Sequence, residues 1–214
     1  MENIKLFCVS LGCDKNLVDT EKMLGLLNGR GITFTDDETE ADVILVNTCC
    51  FIGDAKEESV NTILDMARYK EEGNLKALLV AGCLAQRYKQ EILDEIPEVD
   101  AILGTTSYEE VATVLEQVLM GSSGIHLSCF RDLSQLPQVE ARRVVTTGGH
   151  YAFLKIAEGC DKRCTYCIIP YLRGPYRSVP IEQLVAEAGQ LAEAGVKELI
   201  LVAQETTLYG KDLY

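Results

Sequence analysis

No stretch of this sequence is apolar for long enough to cross a membrane. The longest run, Ala77 to Ala85, has nine residues, against the roughly 20 that a spanning helix needs. The N-terminus, Met-Glu-Asn-Ile-Lys, lacks a signal-peptide pattern and leads into a strand-like segment. Both absences predict a soluble, cytoplasmic protein with no membrane partner. Glycine and proline are few, at 17 and 5 of 214 residues, while 47% of the chain is apolar and 25% charged. Those proportions exclude intrinsic disorder, collagen-like repeats and low-complexity scaffolds. The length allows one or two domains with proper cores.

Basic charge is also in deficit, with 20 Lys and Arg against 33 Asp and Glu and a net charge of −13. Affinity for phosphates comes largely from Lys and Arg, so nucleic-acid binding is expected to be weak or indirect. A basic partner suits the chain better, ribosomal proteins among them. One stretch opposes the average: Arg142, Arg143, Lys155, Lys162, Arg163, Arg173 and Arg177 meet only Glu158 and Asp161. Runs of like charge are usually solvated faces, and that reading stands beside a functional one here.

Residues 1–122 alternate short apolar runs with amphipathic segments. Strands are expected at Ile4–Ser10, Val43–Asn47, Ala77–Ala81 and Ala101–Leu103, with a weaker one near Ile32–Phe34. Helices are expected at Leu17–Asn28, Ala55–Tyr69, Ala85–Ile96 and Tyr108–Leu119, with Asp54 as a candidate N-cap. This rhythm predicts an α/β fold, an open doubly wound domain with a parallel sheet. Gly121-Ser122-Ser123-Gly124 looks like a boundary, and 123–150 reads as a linker with a short strand at Arg143–Thr147. A second αβ pattern fills 151–214: strand Tyr151–Ala157, a long loop Cys160–Arg177, helix Ile181–Ala194 and strand Glu198–Ala203. An α/β barrel takes some 250 residues, so 151–214 supplies only the first βα units of one. The chain therefore reads as truncated, and this piece alone is expected to be inactive.

Nine cysteines are too few for a disulfide scaffold, and their number is odd. In a reducing compartment, metal or redox chemistry is the better account. Cys160, Cys164 and Cys167 form one tight run with x3 and x2 spacings, directly after a strand. Three thiolates can hold three irons of a cubane cluster and leave the fourth iron open to a ligand. The alternative is a structural zinc site completed by His150 or His126, although the second Cys pair usual in zinc loops is missing.

The segment Glu158-Gly159-Cys160-Asp161-Lys162-Arg163-Cys164-Thr165-Tyr166-Cys167 resembles the radical S-adenosylmethionine signature. Ile168-Ile169-Pro170 and Arg173-Gly174 follow the same pattern. The resemblance implies a 4Fe–4S cluster on the three cysteines, with the amino and carboxylate groups of S-adenosylmethionine on its open iron. It also implies that Tyr166 lies near the adenine; packing alone is the other reading of that ring.

Three further cysteines follow three successive expected strands. Cys13, Cys49 and Cys83 are spaced by 36 and 34 residues, about one βα repeat each. In an open parallel sheet, ligands bind beyond the carboxyl ends of the strands, so three such thiols can converge. Gly12 and Gly82 beside them permit tight turns or close approach. Three separate buried cysteines are the alternative; Cys8, Cys50 and Cys129 are read as structural. Neither a flavin phosphate loop nor a dinucleotide fingerprint is present.

Together these motifs resemble the radical S-adenosylmethionine methylthiotransferase family over essentially the whole chain. Ser10-Leu11-Gly12-Cys13-Asp14-Lys15-Asn16-Leu17-Val18-Asp19 and Ala203-Gln204-Glu205-Thr206-Thr207 are similar to the branch that modifies an aspartate of a small-subunit ribosomal protein. Glu205 stands where that branch usually has Asp, and Cys50 where it usually has Gly. The resemblance implies two 4Fe–4S clusters, on Cys13/Cys49/Cys83 and Cys160/Cys164/Cys167, with S-adenosylmethionine as cosubstrate. It implies conversion of an unactivated C–H to C–SCH3; a tRNA adenosine methylthiotransferase or a non-catalytic Fe–S or zinc module are the rival readings. No other residue is assigned as a catalyst, and neither the sulfur donor nor the electron donor is legible.

Overall fold

The computed structural model describes residues 3–121, 126–139 and 141–214. The expected boundary at Gly121–Gly124 lies, apart from Gly121, outside the described residues.

Six strands form the first sheet: β1 (Ile4–Ser10), β2 (Ile32–Phe34), β3 (Val43–Thr48), β4 (Ala77–Gly82), β5 (Ala101–Leu103) and β6 (Leu127–Cys129). Their spatial order is β2-β1-β3-β4-β5-β6 and every pairing is parallel. The last strand lies in the stretch expected to be linker and extends the sheet at its edge.

Helices cover both faces, as a parallel sheet requires. Alternate side chains divide between them. Leu6, Val43, Leu45, Leu79 and Leu103 pack on α1 (Asp14–Leu27) and on a late helix, Val111–Met120. Ile44, Val46, Leu78, Val80 and Ile102 face α2 (Gly53–Ala67) and the short helices between β4 and β5. Residues of β3 and β4 are buried on both sides, which is why these strands read as unbroken apolar runs.

Local chemistry redraws several expected boundaries. α2 begins two residues earlier than expected, with Ile52 in the N-cap position and no side-chain cap, so Asp54 falls inside the first turn. It ends at Ala67, and a separate short helix, α3 (Tyr69–Glu72), follows. The single helix expected over 85–96 is two, α4 (Cys83–Tyr88) and α5 (Gln90–Glu95), split at Lys89, whose φ is +45°. A positive φ on a side chain with a Cβ interrupts the helical ladder. The late helix is α6, entered through one 3-10 turn at Tyr108–Glu110.

The second unit starts with β7 (Tyr151–Lys155), which pairs in parallel with the later β10 (Glu198–Val202) through the crossover helix α8 (Ile181–Glu193). This is a βαβ unit, the building block of an α/β barrel. The strand expected over 151–157 divides, because Ile156 donates to Val202 while its own carbonyl accepts from Val179. Beyond that point β8 (Ala157–Glu158) pairs antiparallel with β9 (Arg177–Ser178). The expected long loop therefore encloses a short helix, α7 (Ile169–Arg173), and the strand β9. No strand forms at Arg143–Thr147. That segment lies along α1 instead, with Val144 N–H donating to the Glu21 carbonyl at 3.1 Å and Thr146 N–H to Glu21 Oε1 at 2.7 Å.

Leu79 is 1% exposed at the centre of the first sheet, between Leu45 and Ala101. Leu79→Ala is expected to lower stability by about 2–5 kcal/mol, read as a reduced denaturation midpoint in urea with an unchanged slope.

Candidate functional site

The strand order of the first sheet reverses between β1 and β3, and the crevice at such a switch point is where open α/β sheets take ligands. Cys13 follows β1, Cys49 follows β3 and Cys83 follows β4, the next strand along. All three lie at carboxyl ends of neighbouring strands. Cys13 is exposed at the N-cap of α1, while Cys49 and Cys83 are buried.

A polar net holds these three loops together. Asn16, on the first turn of α1, donates from Nδ2 to the Leu11 carbonyl at 3.0 Å and the Thr48 carbonyl at 2.9 Å. Asn47 donates to the Asn16 carbonyl and to Thr20 Oγ1, both at 2.9 Å. Thr48 Oγ1 donates to the Ala81 carbonyl at 2.5 Å and accepts from Leu84 N–H at 3.2 Å. Ser59 braces Cys49 by accepting from its N–H and donating to its carbonyl. Gly12, at φ +90°, allows the first loop to touch the second, since a Cβ there would lie 2.9 Å from Cys49 Sγ.

Burial raises the Cys83 thiol, the Arg173 guanidinium beside it draws it back, and charge on Cys49 or Cys13 pushes it up. Cys50 has a different role: its Sγ lies 3.2 Å from the Cys83 carbonyl, and burial pushes its thiol up to about 12. Among the described residues, no three His, Cys, Asp or Glu side chains are grouped to hold a single metal ion. A cubane makes a different demand, because each thiolate binds a different iron and the sulfurs stand farther apart than ligands of one ion. Three thiols from separate loops, with few competing donors, are chemically suited to such a cluster.

The second set of thiols sits on the loop after β8. Gly159 has φ +77°, and a Cβ there would fall 2.0 Å from the Pro175 carbonyl oxygen. Only glycine lets the start of this loop lie on the segment that closes it. Cys160 N–H donates to the Gly174 carbonyl at 3.1 Å and Cys167 N–H to the Cys164 carbonyl at 2.9 Å. Cys164 is exposed, Cys160 and Cys167 half-buried, and Arg163, Cys164, Thr165, Cys167, Pro170 and Tyr171 line an open cleft. Tyr166 is 89% exposed and is not part of that lining. Lys162 pairs with Glu205, which also accepts from Thr207 and is held down at about 2, chiefly by the Lys162 hydrogen bond. The two histidines are engaged elsewhere: His126 Nδ1 lies 2.8 Å from the Val99 carbonyl oxygen, and His150 packs edge-on against Tyr151.

A buried charged cluster joins the two regions, and it escaped sequence reasoning. Arg173 Nη1 donates to Asp19 Oδ2 at 2.7 Å and to Glu158 Oε2 at 3.1 Å, and Nη2 donates to Asn16 Oδ1. Lys155 pairs with Asp19 and, at 2.8 Å, with Glu158. All four charged side chains are at most 5% exposed. Burial alone would lower Lys155 and raise Glu158, but the opposed charges outweigh it, so Lys155 is shifted up and Glu158 down. One signal was available: Lys155 stands alone in the apolar run Tyr-Ala-Phe-Leu-Lys-Ile-Ala, where a charge needs a partner.

Much of the basic stretch is thus paired with acids, some of them buried and some at the surface. Arg142 pairs with Glu193, Arg143 with Glu21 and Glu187, Lys162 with Glu205, and Lys155 and Arg173 with the buried acids. Arg142 and Lys162 remain largely solvated, whereas Arg143, Lys155 and Arg173 are buried against their partners.

Comparison with known proteins agrees with this geometry. Residues 5–104 match the family described as "Uncharacterized protein family UPF0004", and residues 154–214 match the Radical SAM superfamily. A solved cobalamin-dependent S-adenosylmethionine radical enzyme, OxsB, aligns over 95% of this chain and 34% of its own, with a TM-score of 0.59. At 14% identity that likeness speaks for the fold alone. Fold and loop together define the class: a radical S-adenosylmethionine protein with a preceding parallel-sheet domain.

Nearer relatives narrow it. The ribosomal protein uS12 methylthiotransferase RimO of Lachnoclostridium phytofermentans is 65% identical over 211 residues, covering 99% of this chain and 47% of the relative. The proteins of the same name from Acetivibrio thermocellus and Clostridioides difficile are 53% and 51% identical, covering 98% and 99% of this chain and 47% of each relative. The chain is thus similar along nearly its whole length to radical S-adenosylmethionine methylthiotransferases, and it spans about half the length of the curated relatives it matches.

Two outcomes follow from the site. Lys155→Met leaves Asp19 and Glu158 short of a buried cation and should destabilise the fold by about 3–5 kcal/mol, measured by urea denaturation. In metal-free protein, iodoacetamide should modify the exposed Cys13 and Cys164 first and Cys50 at least ~10-fold more slowly, because only the thiolate reacts; peptide mass spectrometry over time reads the order.

Proposed function

We propose that the chain carries the paired cluster sites of a methylthiotransferase acting on a small-subunit ribosomal protein, converting an unactivated aspartate C–H to C–SCH3. The observation that carries this reading is the position of three strand-end cysteines at the switch point of the first sheet, joined through Arg173 to the segment bearing the second three. Cys160, Cys164 and Cys167 would hold one 4Fe–4S cluster and Cys13, Cys49 and Cys83 the other. Unactivated C–H cleavage lies beyond side-chain acid–base chemistry, so the clusters and S-adenosylmethionine supply the radical, the sulfur and the methyl group.

This chain's own residues do the holding and the shaping. Gly159 and the Gly174–Pro175 segment fold the second thiol loop back on itself, leaving Cys164 at an open cleft. Tyr166, exposed within that loop, would stack on the adenine of S-adenosylmethionine. Asn16, Asn47 and Thr48 hold the three strand-end loops in register.

The names of the relatives support a ribosomal protein as substrate. Net charge agrees, since a chain at −13 attracts a basic protein. The burial of Arg143, Lys155 and Arg173 against acids of the same chain supports a protein over a tRNA substrate, because those three charges are withdrawn from phosphates. A cytoplasmic setting follows from a ribosomal substrate, and among the described residues no helix is long and apolar enough to cross a membrane.

Anaerobic reconstitution of the full-length protein with iron and sulfide should load about eight irons, as two 4Fe–4S clusters require. Cys160→Ala, Cys164→Ala or Cys167→Ala should abolish reductive cleavage of S-adenosylmethionine. Cys13→Ala, Cys49→Ala or Cys83→Ala should leave cleavage and stop methylthio transfer to the ribosomal protein. One tightly held zinc without charge-transfer absorbance, or equal loss of cleavage in both sets with the other cluster intact, would overturn the reading.

A further inference from the structure

The two sets of thiols belong to different sheets, and one side chain reaches the supports of both. Arg173, 2% exposed, ends the helix that follows Cys167. On one side its fork donates to Asn16 and Asp19, on the α1 turns directly after Cys13. Asn16 in turn holds the carbonyls of Leu11 and Thr48, which lead into the Cys13 and Cys49 loops, and its Oδ1 lies 3.9 Å from Cys83 Sγ. On the other side the fork donates to Glu158, which leads through Gly159 into Cys160. Glu158 is further fixed by Lys155 at 2.8 Å and by Gln204 Nε2 at 3.1 Å.

We infer that Arg173 is a positioning residue whose fork sets the spacing between the Cys13/Cys49/Cys83 site and the Cys160/Cys164/Cys167 loop, so that what one site carries meets what the other generates. This rests on the two-site reading proposed above. A purely structural ion pair would need only two partners, whereas this guanidinium divides its donors between the scaffolds of two loops. Planar guanidinium geometry is what permits that division; the point charge of a lysine would keep neutrality and lose the bridge. Transfer between two centres tolerates little misplacement, and an error near 1 Å can cost ~100-fold.

The test uses full-length protein, reconstituted anaerobically with iron and sulfide, as wild type, Arg173→Lys and the double variant Asp19→Asn/Arg173→Gln. The double variant removes one opposed pair and leaves Lys155 balanced by Glu158, which guards against simple loss of folding. Three quantities are read: iron content, the spin–spin interaction between the two reduced clusters by electron paramagnetic resonance, and methylthio product per 5′-deoxyadenosine released. Both variants should keep the wild-type iron content and show an altered cluster–cluster interaction. S-adenosylmethionine cleavage should stay within about threefold, while product per cleavage falls ~10-fold to 100-fold. An unchanged interaction with an unchanged product ratio overturns the role. Loss of iron from both variants also overturns it, assigning Arg173 to folding alone. A wild type that loads a single cluster removes the two-site reading itself, a failure recognised without any variant.

Discussion

Much of this structure depends on the charges buried beside α1. That helix is covered on two sides. Met23, Leu24 and Leu27 press on the first sheet, while the equally buried Asn16 and Asp19 face the second unit and Glu21 faces the 143–146 segment. A carboxylate taken out of water carries a desolvation penalty of several kcal/mol unless it is paired and hydrogen-bonded. Lys155 and Arg173 answer Asp19, Arg143 answers Glu21, and Glu158 balances the cations. Such a set adds little stability over an apolar interface. Its consequence is geometric, since each fork and carboxylate accepts a narrow range of partner positions.

That geometry bears directly on the thiols. The first three stand where a parallel sheet changes direction, a place open because neighbouring connections leave toward opposite faces. The second three stand on a loop closed by backbone bonds to Gly174. Neither region is isolated from the buried charges: Asn16 links them to the strand ends, and Glu158 links them to Cys160. The acidic excess of the chain, by contrast, is mostly a surface property and suits a basic partner.

The nine cysteines divide by environment. Burial keeps Cys50 protonated at neutral pH and suits it to packing beneath the Cys83 loop. Cys13 and Cys164 are exposed, one in each set. Burial raises the Cys83 thiol, and the Arg173 guanidinium beside it partly offsets that effect.

Sequence alone was enough for the α/β class, the position along the chain of the principal strands and the place of six cysteines after strands and in one loop. Those features are local: an apolar run, a turn and a spacing of a few residues specify them with little help from the rest of the chain. Smaller features were not legible. Lys89 breaks a helix whose periodicity is continuous, and β6 adds an edge strand inside a stretch that reads as linker. The partners at the junction were beyond reach. Asp19 and Arg173 are 154 residues apart, and Asp19 and Lys155 are 136 apart. Read singly, Asp19 and Arg173 are ordinary surface charges, and Lys155 in its apolar run asks for a partner without naming one. Only the packing of α1 against the second unit excludes water from all of them at once, and that exclusion turns scattered charges into a bridge between the two sets of thiols.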